Sequence, residues 1–145
     1  MELVVKRFDE LSNNELYEIM KLRSAVFVVE QQCIYQDLDD RDQAALHLFY
    51  RDEDGIQSYL RVIDKNEHNE FVSIGRVISL KRRTGLATSL LKEAIEVAKV
   101  RFCAEHIYLE AQVYARSLYE KIGFRQISEE FLEDGIPHIK MMYDC

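Results

Sequence analysis

The run Arg76-Val77-Ile78-Ser79-Leu80-Lys81-Arg82-Arg83-Thr84-Gly85-Leu86-Ala87 combines three features that together can hold an anion: a β-branched stretch, three consecutive cations, and a glycine that opens a helical pattern. The N–H groups of a helix's first turn have no intrahelical partner, and the helix dipole is positive there. Such a turn binds phosphate when its backbone can be approached closely, and Gly85 and Ala87 are small enough to permit that. The same residues also suit an ordinary helix start with solvated charges, since short basic loops are common. No G-x-x-x-x-G-K-[ST] or G-x-G-x-x-G occurs, so a P-loop or a dinucleotide fingerprint is excluded.

Other reactive-looking stretches carry less. The acidic run Asp37-Leu38-Asp39-Asp40-Arg41-Asp42 fails as a calcium loop, because its sixth position is Asp42 rather than Gly and its twelfth is Leu48 rather than Glu. It reads as a solvated loop whose negative charge would draw a cationic ligand. Cys33, Cys103 and Cys145 are an odd number with no C-x-x-C pair, which points to free thiols in a reducing compartment and to no metal site.

The elements that would position these residues follow from pattern. Leu3 to Phe8 suits an opening strand. Ser12 with Glu15 predicts a capped helix start, followed by Leu16, Ile19, Met20, Arg23, Val26 and Phe27 at helical spacing. Ala44–Arg51 and Ile56–Val62 flank the turn Asp52-Glu53-Asp54-Gly55 and predict a hairpin, to which Phe71–Leu80 adds a third strand. Gly75 inside that strand marks a bulge or a close backbone approach. A helix runs from about Gly85 to Phe102 with Leu86, Leu90, Leu91, Ile95 and Ala98 as its buried stripe. Ile107–Glu110 is a short strand and Tyr114–Ile122 a short helix stopped by Gly123. Two strands then surround Glu133-Asp134-Gly135. The class is mixed α/β (α+β), with helices flanking a largely antiparallel sheet.

With 145 residues, no repeat and no linker, the chain reads as one domain spanning residues 1–145. Nineteen basic against twenty-six acidic residues leave a net charge of −7, which disfavours nucleic-acid binding, as does the lack of aromatics interleaved with Lys81-Arg82-Arg83. Neither a signal peptide nor a membrane span is evident, so a cytoplasmic protein without a membrane partner is expected.

At this point two blocks resemble a known family. Arg82-Arg83-Thr84-Gly85-Leu86-Ala87 is similar to the R/Q-x-x-G-x-G/A signature of the GNAT N-acetyltransferases, with Ala87 in place of the commoner glycine and a preceding loop one residue shorter than usual. Ala115-x-x-Leu118-Tyr119-Glu120-Lys121-Ile122-Gly123-Phe124 is similar to a second family segment at the usual distance downstream. Arg23-x-x-Val26-Phe27-Val28-Val29-Glu30-Gln31, Tyr35-Gln36-Asp37, Leu109-Glu110-Ala111-Gln112 and Glu133-Asp134-Gly135-Ile136-Pro137-His138 narrow the likeness to the ElaA-like branch.

The resemblance implies a GNAT-type sheet and an acetyltransferase that uses acetyl-CoA to acylate a primary amine by direct attack on the thioester. It carries coenzyme A contacts to Val77, Ile78 and Ser79 on the strand. Further contacts fall on Arg82, Arg83, Thr84, Gly85, Leu86, Ala87 and Thr88 around the turn, and on Gln112 and Tyr119. Tyr119 falls where the family places the acid that protonates the departing sulfur, although an aromatic packed on a short helix would look the same. Glu30, Glu110 and His138 are the candidates for the base, each with an ordinary structural role as the alternative. His47 is a weaker candidate for lining the acceptor pocket. Direct transfer needs no acyl-cysteine, which leaves Cys33 without a nucleophilic role. The acceptor is a small-molecule or peptide amine, and a homodimer rests on analogy alone. The competing reading is a non-catalytic acyl-CoA-binding or regulatory module with the same cofactor turn.

Overall fold

The computed structural model describes residues 1–80 and 84–145. Lys81, Arg82 and Arg83, and with them two of the residues expected at the phosphate turn, lie outside the described residues. Among the described residues the chain forms strands β1 (Glu2–Arg7), β2 (Leu46–Asp52), β3 (Gly55–Ile63), β4 (Val72–Ser79), β5 (His106–Gln112), β6 (Arg125–Gln126), β7 (Phe131–Glu133) and β8 (Ile136–Asp144). Helices α1 (Asn13–Arg23), α2 (Leu86–Phe102) and α3 (Arg116–Ile122) are interspersed. The order along the sheet is β1-β2-β3-β4-β5-β8-β6, with β7 also paired to β8. Every pairing is antiparallel except β4 with β5, so the sheet is mixed and largely antiparallel, as expected. The C-terminal part contains three strands rather than two, because the two-residue β6 is too short to leave a periodic signal.

Local chemistry accounts for the element ends. Ser12 Oγ accepts the Glu15 N–H at 3.0 Å while Glu15 Oε1 accepts the Ser12 N–H at 2.9 Å, a reciprocal capping box that starts α1. The helical spacing through Phe27 does not belong to one α-helix: α1 ends at Arg23 and continues as a π-helical segment, Ser24–Glu30. The two-residue turn between β7 and β8 places Asp134 at φ 52° and Gly135 at φ 77°, the left-handed pair that a tight hairpin demands. Similarly, the segment predicted as one helix from Tyr114 begins as a 3-10 turn, Val113–Ala115, before α3.

The sheet carries apolar cores on both faces. On one face Leu48, Leu60, Val72 and Ile74 pack against Leu90, Leu91, Ala94 and Ile95 of α2. On the other, Phe49, Tyr59 and Ile78 pack against Ile19 of α1 and Val26 of the π segment. Side chains alternate between faces with a period of two, so Val72, Ile74 and Ile78 should share a face. They do not. The register runs Arg61 opposite Gly75 and Tyr59 opposite Ile78, so Arg76 and Val77 together oppose Leu60. This is a β-bulge, and its extra residue sends Val77 to the α2 face and Ile78 to the α1 face. Gly75 pairs within the ladder; the residue in the left-handed region is its neighbour Arg76, at φ 54°.

Candidate active site

Beyond Ser73 the sheet opens. β4 and β5 pair only through Val72 with Ile107 and Ser73 with Tyr108, after which the strands separate. The gap widens into a cleft of about 980 Å³ lined by the second half of β4, the start of α2, the second half of β5, α3 and the β7–β8 hairpin. That volume lies at the upper end for small-molecule sites.

The start of α2 forms one wall. Gly85 is its N-cap at φ 81°, in the left-handed conformation that L residues rarely adopt, and a Cβ there would meet nothing within 4 Å. Leu86, Ala87 and Thr88 follow it along the cleft, and no acidic residue occupies the first turn to compete with an anion. The wall therefore presents first-turn amides that have no intrahelical partner, next to the open space at Gly85. On the strand side, the bulge interrupts β4 at Arg76 and Val77, and Val77, Ile78 and Ser79 all line the cleft.

Tyr119 reaches the same cleft from α3, whose geometry fixes the ring. The N–H groups of Gly123 and Phe124 both donate to the Tyr119 carbonyl, at 3.2 and 3.0 Å, and Gly123 at φ 126° turns the chain sharply. Phe124 thereby folds back edge-on against the Tyr119 ring, with centroids 5.9 Å apart. The Tyr119 side chain makes no hydrogen bond among the described residues. Burial, reinforced by Tyr114, pushes its phenol above the ordinary tyrosine range, so it is protonated at neutral pH.

Two of the three candidate bases line the cleft. Glu110 Oε2 accepts a hydrogen bond from the Tyr108 hydroxyl at 2.9 Å. His138 is buried, and its Nδ1 lies 2.7 Å from the Ile136 carbonyl oxygen. A carbonyl can only accept, so Nδ1 carries a proton and Nε2 of the neutral ring keeps its lone pair. Glu133 Oε2 lies 3.7 Å from that Nε2. Burial, then the nearby Glu110 charge, pushes the Glu133 carboxyl up, while His138 pulls it down. Glu30, the third candidate, sits exposed at the end of the π segment and is absent from the residues lining the cleft. Gln112, which lines the cleft, donates through Nε2 to Gln31 Oε1 at 3.2 Å. Cys33 also reaches the cleft, where its thiol donates to the Asp134 carbonyl at 3.4 Å.

Two expectations need correction. His47 does not line the cleft: it is fully buried between the Tyr59 hydroxyl at 2.7 Å and the Asp42 carbonyl at 2.9 Å. The acidic run is not a solvated loop either. Asp37 and Asp42 are buried, and Arg23, Arg61 and Arg76 surround them and Asp39. Arg23 pairs with Asp37 at 2.9 Å and with Asp42; Arg61 pairs with Asp42 at 2.9 Å and with Asp39 at 2.6 Å. Arg76 Nε lies 2.8 Å from Asp37 Oδ1, although its N–H does not point at that oxygen, so the contact is ionic rather than a hydrogen bond. Three cations balance three anions, and little negative charge remains to draw a cationic acceptor. Spacing along the run gave no sign of this, because the arginines come from three other elements.

The network ties stability to pH. Burial alone would raise the Asp39 and Asp42 carboxyls, yet Arg61 and Arg23 hold both below the usual carboxylate range. Burial lowers His47. All three groups bind protons more weakly folded than unfolded, so each contributes stability above its unfolded pKa that disappears as the pH falls. The urea midpoint should hold steady from pH 8 to about 7, decline below about 6.5 as unfolded histidine begins to protonate, and drop more steeply below about 4 as the aspartates do. A midpoint unchanged between pH 7 and pH 4 would contradict it.

The residues sequence reasoning missed are Glu133, Tyr108 and Arg76. In sequence Glu133 belongs to a turn, but a two-residue hairpin necessarily sets it beside the strand bearing His138. In sequence Arg76 is only the first residue of the run that leads to Gly85. The break in alternation at Val72-x-Ile74-x-Arg76-Val77-Ile78 was the available signal.

Comparison with known proteins bears on this arrangement. A family model described as an acetyltransferase (GNAT) domain matches residues 9–145. The chain is 40% identical over 145 residues to a UPF0039 protein of Schizosaccharomyces pombe, covering 97% of this chain and 95% of that one. It is 37% identical over 136 residues to protein ElaA of Escherichia coli, covering 91% and 89%. The crystal structure of Escherichia coli ElaA superposes with a TM-score of 0.92 at 34% identity, covering 99% of this chain and 100% of that chain. An acyl-CoA N-acyltransferase from Pseudomonas aeruginosa does so with a TM-score of 0.92 at 36% identity, covering 99% of both chains. The likeness extends across both walls of the cleft, and the chain belongs to the GNAT acetyltransferase family and resembles its ElaA members.

Proposed function

We propose that this protein is an acetyl-CoA-dependent N-acetyltransferase that acylates a primary amine on a small-molecule or peptide acceptor. The observation that carries the reading is one cleft that joins a glycine-capped helix start to a protonated phenol with no hydrogen-bond partner among the described residues. Acetyl-CoA bound there would supply an activated acetyl thioester. The residues present fit it: the amides that follow Gly85 would hold the pyrophosphate, and the open space at Gly85 leaves room for it.

Each remaining requirement falls to a named group. The amide of Val77, at the bulge of a strand freed from its β5 neighbour, would donate to the thioester carbonyl as negative charge develops on its oxygen. The Nε2 lone pair of His138 receives the proton that the attacking amine loses, and Glu133 stabilises the resulting imidazolium. Tyr119 gives its proton to the sulfur as the carbon–sulfur bond breaks. Glu110, which lines the cleft and accepts from Tyr108, is left to orient the acceptor amine.

Calorimetric titration of acetyl-CoA, with desulfo-CoA and ATP as controls, tests the cofactor. Micromolar binding selective for the coenzyme A skeleton is the expected result, and no binding by folded protein would end the reading. Gly85→Val should weaken acetyl-CoA binding tenfold or more, about 1.4 kcal/mol, because the side chain projects into the space beside the amides and the left-handed backbone resists it. Unchanged affinity in the folded variant would place the pyrophosphate elsewhere.

A further inference from the structure

Arg76 stands where a side chain is costly. It is the first residue of the β4 bulge, in the left-handed region at φ 54°, a position that in this kind of bulge is ordinarily glycine. Gly75, immediately before it, sits in the ladder instead. The arginine head extends to the loop that follows the π segment. There Nη2 donates to the Asp37 carbonyl at 3.0 Å and lies 3.5 Å from Asp39 Oδ2, with Nε against Asp37 Oδ1. Its guanidinium carbon lies 5.8 Å from the centre of the Tyr35 ring, and the Tyr35 hydroxyl donates to Asp37 at 2.9 Å.

Those aspartates are themselves immobilised. Asp37 is held by Arg23 on α1, and Asp39 by the two-pronged contact of Arg61 on β3. A bulge that rested on backbone preference alone would carry glycine. This one is braced through its side chain to a buried, charge-balanced network that spans α1, the following loop and β3.

From this we infer that Arg76 is a positioning residue: its ion pairs with Asp37 and Asp39 hold the β4 bulge in the register that aims the Val77 amide at the acyl carbonyl. The inference rests on the acetyl-CoA reading above and assigns to the Asp37–Asp42 run a role in acyl recognition without contact with the acyl group. In this role Arg76 acts through the bulge and not as a catalytic residue.

The test separates carbonyl recognition from binding of the rest of the cofactor. S-ethyl-CoA, a thioether, lacks the carbonyl oxygen but retains every other contact, so the ratio of its Kd to that of acetyl-CoA reports on the bulge amide. Arg76→Gly keeps the residue best suited to φ 54° and removes only the brace, so it should fold. The wild-type protein should prefer acetyl-CoA by five- to tenfold. Arg76→Gly should bring the ratio to about one with S-ethyl-CoA affinity unchanged within twofold, and Arg76→Lys, which restores the charge, should recover part of the preference. A full preference in Arg76→Gly, or no preference in the wild type that binds both compounds, overturns the inference and leaves the acetyl-CoA reading standing. Failure of the folded wild type to bind either compound overturns both.

Discussion

Tyr119→Phe is expected to slow acetyl transfer about 100-fold, the lower end of what a general acid contributes, while leaving the Kd for acetyl-CoA within about twofold. The direction follows from the hydroxyl having no partner among the described residues. Removing a hydrogen-bonded hydroxyl strands its partner and destabilises the fold; removing this one strands nothing. The ring stays in place because Phe124 and the Gly123 turn hold it rather than the oxygen. The loss should therefore appear in kcat with stability unchanged, measured as thiol release with any amine that supports turnover. It should stay constant across neutral pH, because the buried phenol, pushed above the ordinary tyrosine range, remains protonated there. Equal kcat in wild type and variant would remove Tyr119 as the acid, whereas a wild type that binds acetyl-CoA but turns over no amine would favour a module that binds acyl-CoA without catalysis.

Arg23→Ala should be the most destabilising single truncation, by about 3 kcal/mol, the lower end for breaking a buried ion pair. Arg23 is completely buried, and its loss leaves Asp37 and Asp42 facing only Arg61 and Arg76, which soften the effect without replacing the missing charge. Tm should fall by roughly 10 °C on the scaling for domains near this size. Arg23→Lys should lose less, since one ammonium can serve one aspartate but cannot fork to both as the guanidinium does. A Tm within 2 °C of wild type for Arg23→Ala, about the shift for a loss below 1 kcal/mol, would show that the network is stabilised elsewhere.

The degree to which the molecule can be read from its residues differs by feature. Ser12 with Glu15, the Asp134-Gly135 turn and Gly123 are local devices whose chemistry is complete within four residues, and the structure places each as expected. The cleft wall at the start of α2 is legible for the same reason, since Gly85 and the helix after it are neighbours in sequence. The charge network is not. Its six principal members come from α1, a loop, β3 and β4, and a run of aspartates looks solvated until the arginines are brought to it by the fold. The bulge was half legible: Gly75 located it to within one residue, but a glycine inside a strand suggests that the glycine takes the unusual conformation, and here the arginine does. His138 was legible as a candidate through family likeness. Its tautomer depends on the Ile136 carbonyl and its partner on Glu133, and both depend on hairpin geometry.

The narrow seam between β4 and β5 also matters while the protein is being made. Residues 1–80 can complete the β1–β4 meander long before His106–Asp144 has left the ribosome, and during that interval β4 is an unprotected sheet edge. Such edges recruit other chains in extended conformation. A flat apolar strand reading Val-x-Ile-x-x-Val-Ile would be a good template for that pairing. The bulge breaks its hydrogen-bonding frame midway and places a charged residue at the break, two of the devices by which natural sheets blunt an edge. The irregularity that borders the cleft in the finished molecule thus also blunts the exposed edge of the nascent sheet before β5 arrives.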